Sequence, residues 1–391
     1  MAERLVLRTT KSKIYALFLS ILPVIMVYKT PGLDIGLSTL FIIVFLIHGF
    51  AAVVCNMRKI EIYRILPIVL YLLYMIFKNS GMEAFLPIII LIHIVAFSTG
   101  AANEKFLRLS IETISVAASI CLLIQVLVHA VFEFHIPMIN SNLILDSLSV
   151  YQQPIKTGYS VIEKMYRPSA FFLEPSHFTQ YCIVGLGSSL FRFEKKISHS
   201  ILITLGIIFT TSGLGFVLVF VMWSWWYISN NDRRLLLRNK GRIITIAIVV
   251  PILIIIISKI PFFGSITSRF LTPESYGNYN AIAGRLFWWD TYFGSLSWKD
   301  LIVGFGADKL PDIYFTGFMT VLYAYGIIGV ALLIFSYLTT AIKGKTLART
   351  LSLMYIGLFF MANLINMISL IFSFGTIMTI YSGKQTSSGN G

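Results

Sequence analysis

Eleven apolar runs set what this chain can fold into. They lie near residues 14–28, 35–55, 62–77, 82–101, 109–133, 170–191, 199–211, 213–229, 243–258, 317–342 and 351–381. One bilayer crossing takes about 20 apolar residues. Of 391 residues, 57% are hydrophobic and 12% charged, against about 45–50% and about 25% in soluble domains. A soluble enzyme is excluded, and so is a disordered chain, which needs low hydrophobicity. The expected fold is an all-α polytopic membrane protein with about eleven or twelve transmembrane helices, forming one unit over 1–391.

The net charge of +14 raises the question of nucleic acid, and its placement answers it. With the N-terminus inside, the inner loops carry twenty of the 31 lysines and arginines, among them Arg58, Lys59, Lys105, Arg192 and the cluster Arg233–Arg242. The outer loops carry ten, and more of the acids. This is the Lys/Arg bias that orients membrane proteins, and it also suits anionic membrane lipid. No basic run is interleaved with aromatics as a nucleic-acid groove requires, so no nucleic acid is expected.

Cys55, Cys121 and Cys182 each fall in an apolar run and read as buried thiols. No Cys/His or acidic cluster has metal-ligand spacing, so neither a metal nor another cofactor is expected. The basic N-terminus precedes an apolar run without a small-residue cleavage site, which reads as a first helix rather than a signal peptide.

Two stretches break the pattern of short connections: a first large outer loop at 134–169 and a second at 259–316. Loops this long are usually functional or disordered, and the many aromatics in these two argue against disorder. The tail from Ser382 to Gly391 reads as disordered. At Thr210–Gly215 the charge rule favours two short helices over one kinked helix. The run 351–381 is long for one helix, and Asn363 and Asn366 suggest a turn within it.

The most informative segment is Tyr166-Arg167-Pro168-Ser169-Ala170-Phe171-Phe172-Leu173-Glu174-Pro175-Ser176-His177-Phe178-Thr179-Gln180-Tyr181. It leaves the first outer loop and enters a span. Proline suits the first helical position, which predicts a helix start at Pro175 with Glu174 at its cap. Gln180 and Tyr181 then follow His177 on roughly one face. One reading is an anion-binding Arg167 beside an acid/base pair, Glu174 and His177. The other is that Glu174 only caps the helix. Ionisable residues at membrane depth are costly and usually functional.

The second loop holds Ser268-Arg269-Phe270, then Ala283-Gly284-Arg285-Leu286-Phe287-Trp288-Trp289-Asp290, then Val303-Gly304-Phe305-Gly306-Ala307-Asp308. Arg269 and Arg285 are suited to bind phosphate through the guanidinium fork. Trp288 and Trp289 suit either sugar stacking or an interfacial belt. Gly304 and Gly306 form a lone GxG outside the strand–turn–helix setting of a nucleotide loop. His48, His93 and His129 stand singly on apolar helices and read as hydrogen-bonded core residues; His135 and His199 carry no signal. Trp223, Trp225 and Trp226 read as an interfacial belt.

These residues carry a resemblance. The Arg-Pro-Ser-x-Phe-Phe-x-Glu-Pro-Ser-His-Phe run at 167–178, Gly284-Arg285 before an aromatic helix, the Gly304-Phe305-Gly306 turn and Tyr325-Gly326-Ile327-Ile328-Gly329 opening a late span resemble the bacterial O-antigen and capsule polymerases, the Wzy family. The resemblance covers about residues 160–340. Many relatives carry an arginine near the Ser212-Gly213 break and this chain does not, so no catalytic role is carried there.

The resemblance implies a GT-C type fold in the bacterial plasma (inner) membrane, with its active site facing the periplasm. It implies a glycosyltransferase that joins oligosaccharide repeat units carried on undecaprenyl pyrophosphate. The nascent chain passes to the sugar of a new lipid-linked unit and undecaprenyl pyrophosphate leaves. A chain-length regulator protein fits as a partner. The chemistry agrees: the leaving group is already activated, outer arginines can stabilise its charge, and Glu174 or His177 can take the acceptor proton. The expected substrate-binding residues are Arg167, Arg269, Arg285, Gln180 and Tyr181. The rivals are an O-antigen ligase, which shares the architecture, and a flippase, which calls for matching broken helices or repeats that the chain lacks.

Overall fold

The computed structural model describes residues 2–30, 32, 35–56, 61–146, 148, 152–158, 166–192, 197–230, 289–294, 296–311, 313, 315–362 and 366–382. The predicted span 243–258, the basic cluster 233–242, most of the second outer loop and the tail after Ser382 lie outside them. The described residues are mostly helical, with no strand. A bilayer core offers no partner for backbone polar groups, so an open chain crosses it as helix.

The helices are α1 (Ala2–Ile25), α2 (Leu37–Asn56), α3 (Ile62–Lys78), α4 (Leu86–Ser98), α5 (Glu104–Phe132), α6 (Gln152–Thr157), α7 (Pro175–Leu190), α8 (Ile197–Phe209), α9 (Gly213–Asn230), α10 (Trp289–Phe293), α11 (Trp298–Val303), α12 (Gly317–Lys343), α13 (Thr346–Met361) and α14 (Met367–Ser382). Three of them, α2, α5 and α12, are long and apolar enough to cross a membrane, and α4, α8, α9, α13 and α14 are shorter apolar helices. The outer face of α2 shows what surrounds the protein: Ile43, Ile47, Phe50 and Val54 recur at helical spacing, and Ile47 is 79% exposed. A stripe of that kind is a liability in water and ordinary against lipid. Cys55 belongs to the same helix and is exposed, against the expectation of a buried thiol; Cys121 is half-buried and Cys182 is buried.

The chain divides into two compact units. Unit 1 comprises residues 1–114, 140–150 and 290–391, and unit 2 comprises 115–139 and 151–289.

In unit 1, α12 packs on α3 and α13, and α14 packs on α4 and α1. Small residues set the spacing. A Cβ on Gly375 would lie 2.8 Å from Phe97, and one on Gly49 would lie 3.0 Å from the Tyr15 hydroxyl. That hydroxyl is 2.7 Å from His93 Nδ1, and His93 Nε2 lies 3.2 Å from the Ile42 carbonyl. A carbonyl only accepts, so Nε2 carries the proton and Nδ1 accepts from Tyr15. His93 is thus the hydrogen-bonded core histidine expected.

The run 351–381 is two helices, α13 and α14. Asn366 directly precedes α14, its Oδ1 accepting the Ser369 N–H at 2.7 Å as an N-cap does. The Tyr325–Gly329 segment, expected to open a span, lies inside α12. There Gly326 adopts φ +63°, ψ −168° and kinks the helix. The reason is a close approach: Val303–Gly306 runs against the kink, with the Phe305 and Gly306 N–H groups donating to the Tyr323 and Ala324 carbonyls at 3.0 and 2.8 Å.

Polar contacts in unit 1 sort by end. At one end Lys345 meets Glu104 at 2.9 Å, and the Arg64 guanidinium lies 3.8 Å over the Tyr381 ring. At the other, Lys29 meets Asp146 at 3.1 Å and Ser80 donates to Asp308 at 3.0 Å. The last turn of α14 therefore lies at the Arg64 end.

In unit 2, α7 packs on α8 and α9. Gly206 of α8 meets Ser119 directly, and a Cβ on Gly215 of α9 would lie 3.2 Å from Thr179 Oγ1. Such small-residue contacts let helix backbones approach in lipid. Between α8 and α9 the chain breaks, with Thr211 at φ +57°, so the expected pair of short helices is present. Trp223 of the expected belt donates from its indole to Thr204 Oγ1 at 2.9 Å.

Candidate functional site

The segment 166–181 enters α7 through an elbow in unit 2. The elbow is a tight turn: the Phe172 N–H donates to the Ser169 carbonyl at 3.0 Å, and the Ser169 hydroxyl donates back to the Phe172 carbonyl at 2.7 Å. Between them Ala170 sits at φ +52°, a left-handed conformation that costs a non-glycine residue about 1–2 kcal/mol. Gln125, buried on α5, holds it there. Its Oε1 accepts the Ala170 N–H at 2.9 Å, and its Nε2 donates to the Ile136 carbonyl at 2.8 Å. Strained residues held by their surroundings cluster at functional sites. Phe172 then wedges against Phe178 and Tyr181, with ring centroids 5.7 and 5.3 Å away.

Helix α7 begins at Pro175 with Glu174 as N-cap, at φ −141° and ψ 156°, as the proline predicts. The cap is made by the backbone: the Glu174 carbonyl accepts the Phe178 N–H at 3.1 Å. The carboxylate makes no cap hydrogen bond to the helix and accepts instead from the Ser176 hydroxyl at 2.8 Å. The carboxylate is therefore not occupied in capping the backbone. His177 lies in the first turn, in electrostatic reach of Glu174. Its Nδ1 is buried without a hydrogen-bond partner among the described residues. Gln180 is half-buried, while Tyr181 is in the packed interior against Phe172.

Arg167 is half-buried, and its N–H donates to the Gly158 carbonyl at 2.7 Å. Arg269 and Arg285 lie outside the described residues, as does Trp288. The structure thus brings Arg167, Glu174, His177, Gln180 and Tyr181 onto one elbow and helix start.

Four residues of the neighbourhood were not among the expected site residues: Gln125, His129, His135 and Tyr166. His129 is not an isolated core histidine, because its ring stacks on Tyr166. His135 Nδ1 and the Tyr166 hydroxyl are 3.1 Å apart, and that hydroxyl also donates to the Gln125 carbonyl at 3.1 Å. His135 Nε2 lies 3.1 Å from the Ile155 carbonyl, so it carries the proton, and Nδ1 competes with the Gln125 carbonyl for the one Tyr166 hydroxyl proton. Burial lowers the His135 pKa below the ordinary histidine value, the Ile155 hydrogen bond opposes that, and nearby His129 adds to it. The signal available was the Gln125–His129 pair, four residues apart on an apolar helix and so on one face.

The glycine turn at 304–306 is structural. A Cβ on Gly304 would lie 2.5 Å from the Ala324 carbonyl and the Gly326 nitrogen. The Gly304 carbonyl accepts from Lys78 at 2.8 Å, and Asn79 Oδ1 accepts the Ala307 N–H at 3.0 Å. Its donors and acceptors serve the fold, as its lack of nucleotide-loop context suggests.

No group of histidine, cysteine and acidic side chains arranged to hold a metal occurs among the described residues. In comparisons with known proteins, no protein-family model matches the chain and no curated protein sequence matches it.

Proposed function

We propose that this chain is a polysaccharide polymerase of the Wzy kind, a GT-C type glycosyltransferase of the bacterial plasma membrane with its site facing the periplasm. It takes a glycan on undecaprenyl pyrophosphate and transfers it to the sugar of an incoming lipid-linked repeat unit. The acceptor hydroxyl oxygen attacks the anomeric carbon, and the bond from that carbon to the pyrophosphate oxygen breaks. The hydroxyl proton goes to Glu174, and undecaprenyl pyrophosphate leaves with its charge stabilised by Arg167, Arg269 and Arg285. His177 and Gln180 orient the acceptor. Tyr181 backs the site by packing on Phe172.

The observation that carries this reading is Glu174. A carboxylate stands at the N-cap of α7, seven residues after Arg167, and makes no side-chain cap hydrogen bond to the helix. The helix N-terminus favours its ionised form, which is the form that accepts a proton.

Deletion of the gene followed by analysis of surface glycan tests the class. Single-repeat glycan supports a polymerase. Uncapped core points to a ligase, and repeat units accumulating inside the cell point to a flippase. Glu174→Gln then tests the base. It preserves shape, and single repeats from a normally inserted variant are expected. Normal long-chain glycan would remove Glu174 from the chemistry.

A further inference from the structure

The polar cluster behind the elbow has no task in the proposed reaction. It joins Gln125 and His129 of α5, His135 just beyond that helix, and Gly158 and Tyr166 from the first outer loop, all within unit 2. We infer that Tyr166 is a positioning residue that sets Arg167 for an anionic lipid-linked pyrophosphate. This rests on the polymerase reading for its substrate, not for its geometry.

Tyr166 is held from several sides. Its ring stacks on His129, its hydroxyl is 3.1 Å from both His135 Nδ1 and the Gln125 carbonyl, and it is buried. Gly158, at φ +73°, fits beneath it: a Cβ there would lie 2.5 Å from Tyr166 Cε2 and 2.6 Å from His135 Nδ1. The Gly158 carbonyl in turn takes the Arg167 N–H at 2.7 Å. Tyr166 therefore fixes Arg167 from two directions, through the peptide bond they share and through Gly158. Gln125 fixes the next turn through Ala170.

An arginine side chain is long and has many rotamers, so what a clamp on its backbone can do is restrict where the guanidinium reaches. Positioning of that kind improves binding and transition-state contact without adding any group to the substrate. A purely apolar core needs no hydroxyl at position 166. The hydroxyl places a polar tie between the helix and the loop, and satisfied polar ties of this kind rigidify what they join.

The test is a double-mutant cycle on the full chain in lipid nanodiscs, with undecaprenyl pyrophosphate as the binding probe. Arg167→Ala is expected to weaken binding at least tenfold. Tyr166→Phe keeps the ring and loses the hydroxyl, and is expected to weaken binding about fivefold, the size of one hydrogen bond. In the Arg167→Ala background the same change should have no further effect on affinity. Wild-type affinity in Tyr166→Phe, an equal loss in both backgrounds, or wild-type affinity in Arg167→Ala would each overturn the inference. A merely structural role would lower thermal stability in both backgrounds and leave affinity unmoved. Should Tyr166→Phe fail to fold, His135→Gln reads the same coupling from the other side of the hydroxyl. The polymerase reading fails separately, on long-chain glycan from Glu174→Gln, whatever the binding cycle shows.

Discussion

The His129 imidazole and the Tyr166 phenol lie face to face, with centroids 3.6 Å apart and planes 16° from parallel. One belongs to α5 and the other comes from the loop before α7, 37 positions later in the numbering. The stack ties that loop to the helix immediately before the Arg-Pro-Ser run.

His129→Ala removes the stack. Aromatic pairs contribute about 0.5–1.5 kcal/mol beyond buried area, and thermal unfolding in detergent should show a lowered midpoint. Tyr166→Phe retains the ring and should keep most of this stability. An unchanged midpoint in His129→Ala would show that the stack carries no weight.

Gln125→Ala strands two buried backbone groups, the Ala170 N–H and the Ile136 carbonyl. Each unsatisfied group costs about 1–3 kcal/mol, and Ala170 loses what holds it in the left-handed region. Amide exchange at Ala170 should accelerate strongly. Exchange as slow as in the parent protein would mean that the Ser169–Phe172 turn suffices alone.

The glycine interlock of unit 1 predicts a harsher outcome. A Cβ on Gly326 would run into the Ile302 carbonyl, and its φ of +63° with ψ −168° is a region only glycine adopts readily. Gly326→Ala and Gly304→Ala should each abolish folded protein in size-exclusion profiles. Gly357→Ala is the control, because nothing lies within 4 Å of its Cβ position. Normal profiles for the first two would refute the interlock.

His135 gives a pH dependence with a definite sign. Its folded-state pKa is lowered by burial, so the folded protein binds fewer protons than the unfolded chain. The stability this represents is present above the ordinary histidine value of about 6.5 and is lost as pH falls through it. The groups facing His135 are the Tyr166 hydroxyl, the Ile155 carbonyl and, electrostatically, His129. Hydrogen exchange over 152–158 and 166–172, corrected for its intrinsic pH dependence, should show less protection at pH 5.5 than at pH 7.5. In His135→Gln that difference should shrink; an undiminished difference would assign it to another group.

Orientation is testable by labelling. With Cys55, which is exposed, replaced by serine, Glu83→Cys should react with an impermeant maleimide in intact cells and Leu236→Cys should not. The reverse pattern would invert the membrane topology.

Much of this protein was legible along the chain. Apolar runs long enough to need lipid fixed the class of fold, because nothing else lets so many exposed isoleucines, valines and phenylalanines persist. Pro175 fixed the start of α7, because proline lacks the N–H a helix interior needs and loses nothing at the first position. Asn366 marked the start of α14 through local capping chemistry. These are short-range effects, decided within one turn of helix.

What only the tertiary structure decided lies between residues far apart in sequence. Gly304 and Gly326 are each ordinary glycines until a loop crosses a helix so closely that neither can carry a Cβ. Glu174 reads equally well as a cap or as a base in sequence, since both roles want a carboxylate there; only the tertiary structure shows that its side chain accepts from the Ser176 hydroxyl and makes no cap hydrogen bond. His129 reads as a lone histidine on an apolar helix, because its partner comes from a loop. The sequence holds every residue of the elbow, but stacking, close approach and shared protons depend on distances across the fold, and a linear pattern carries no such distances.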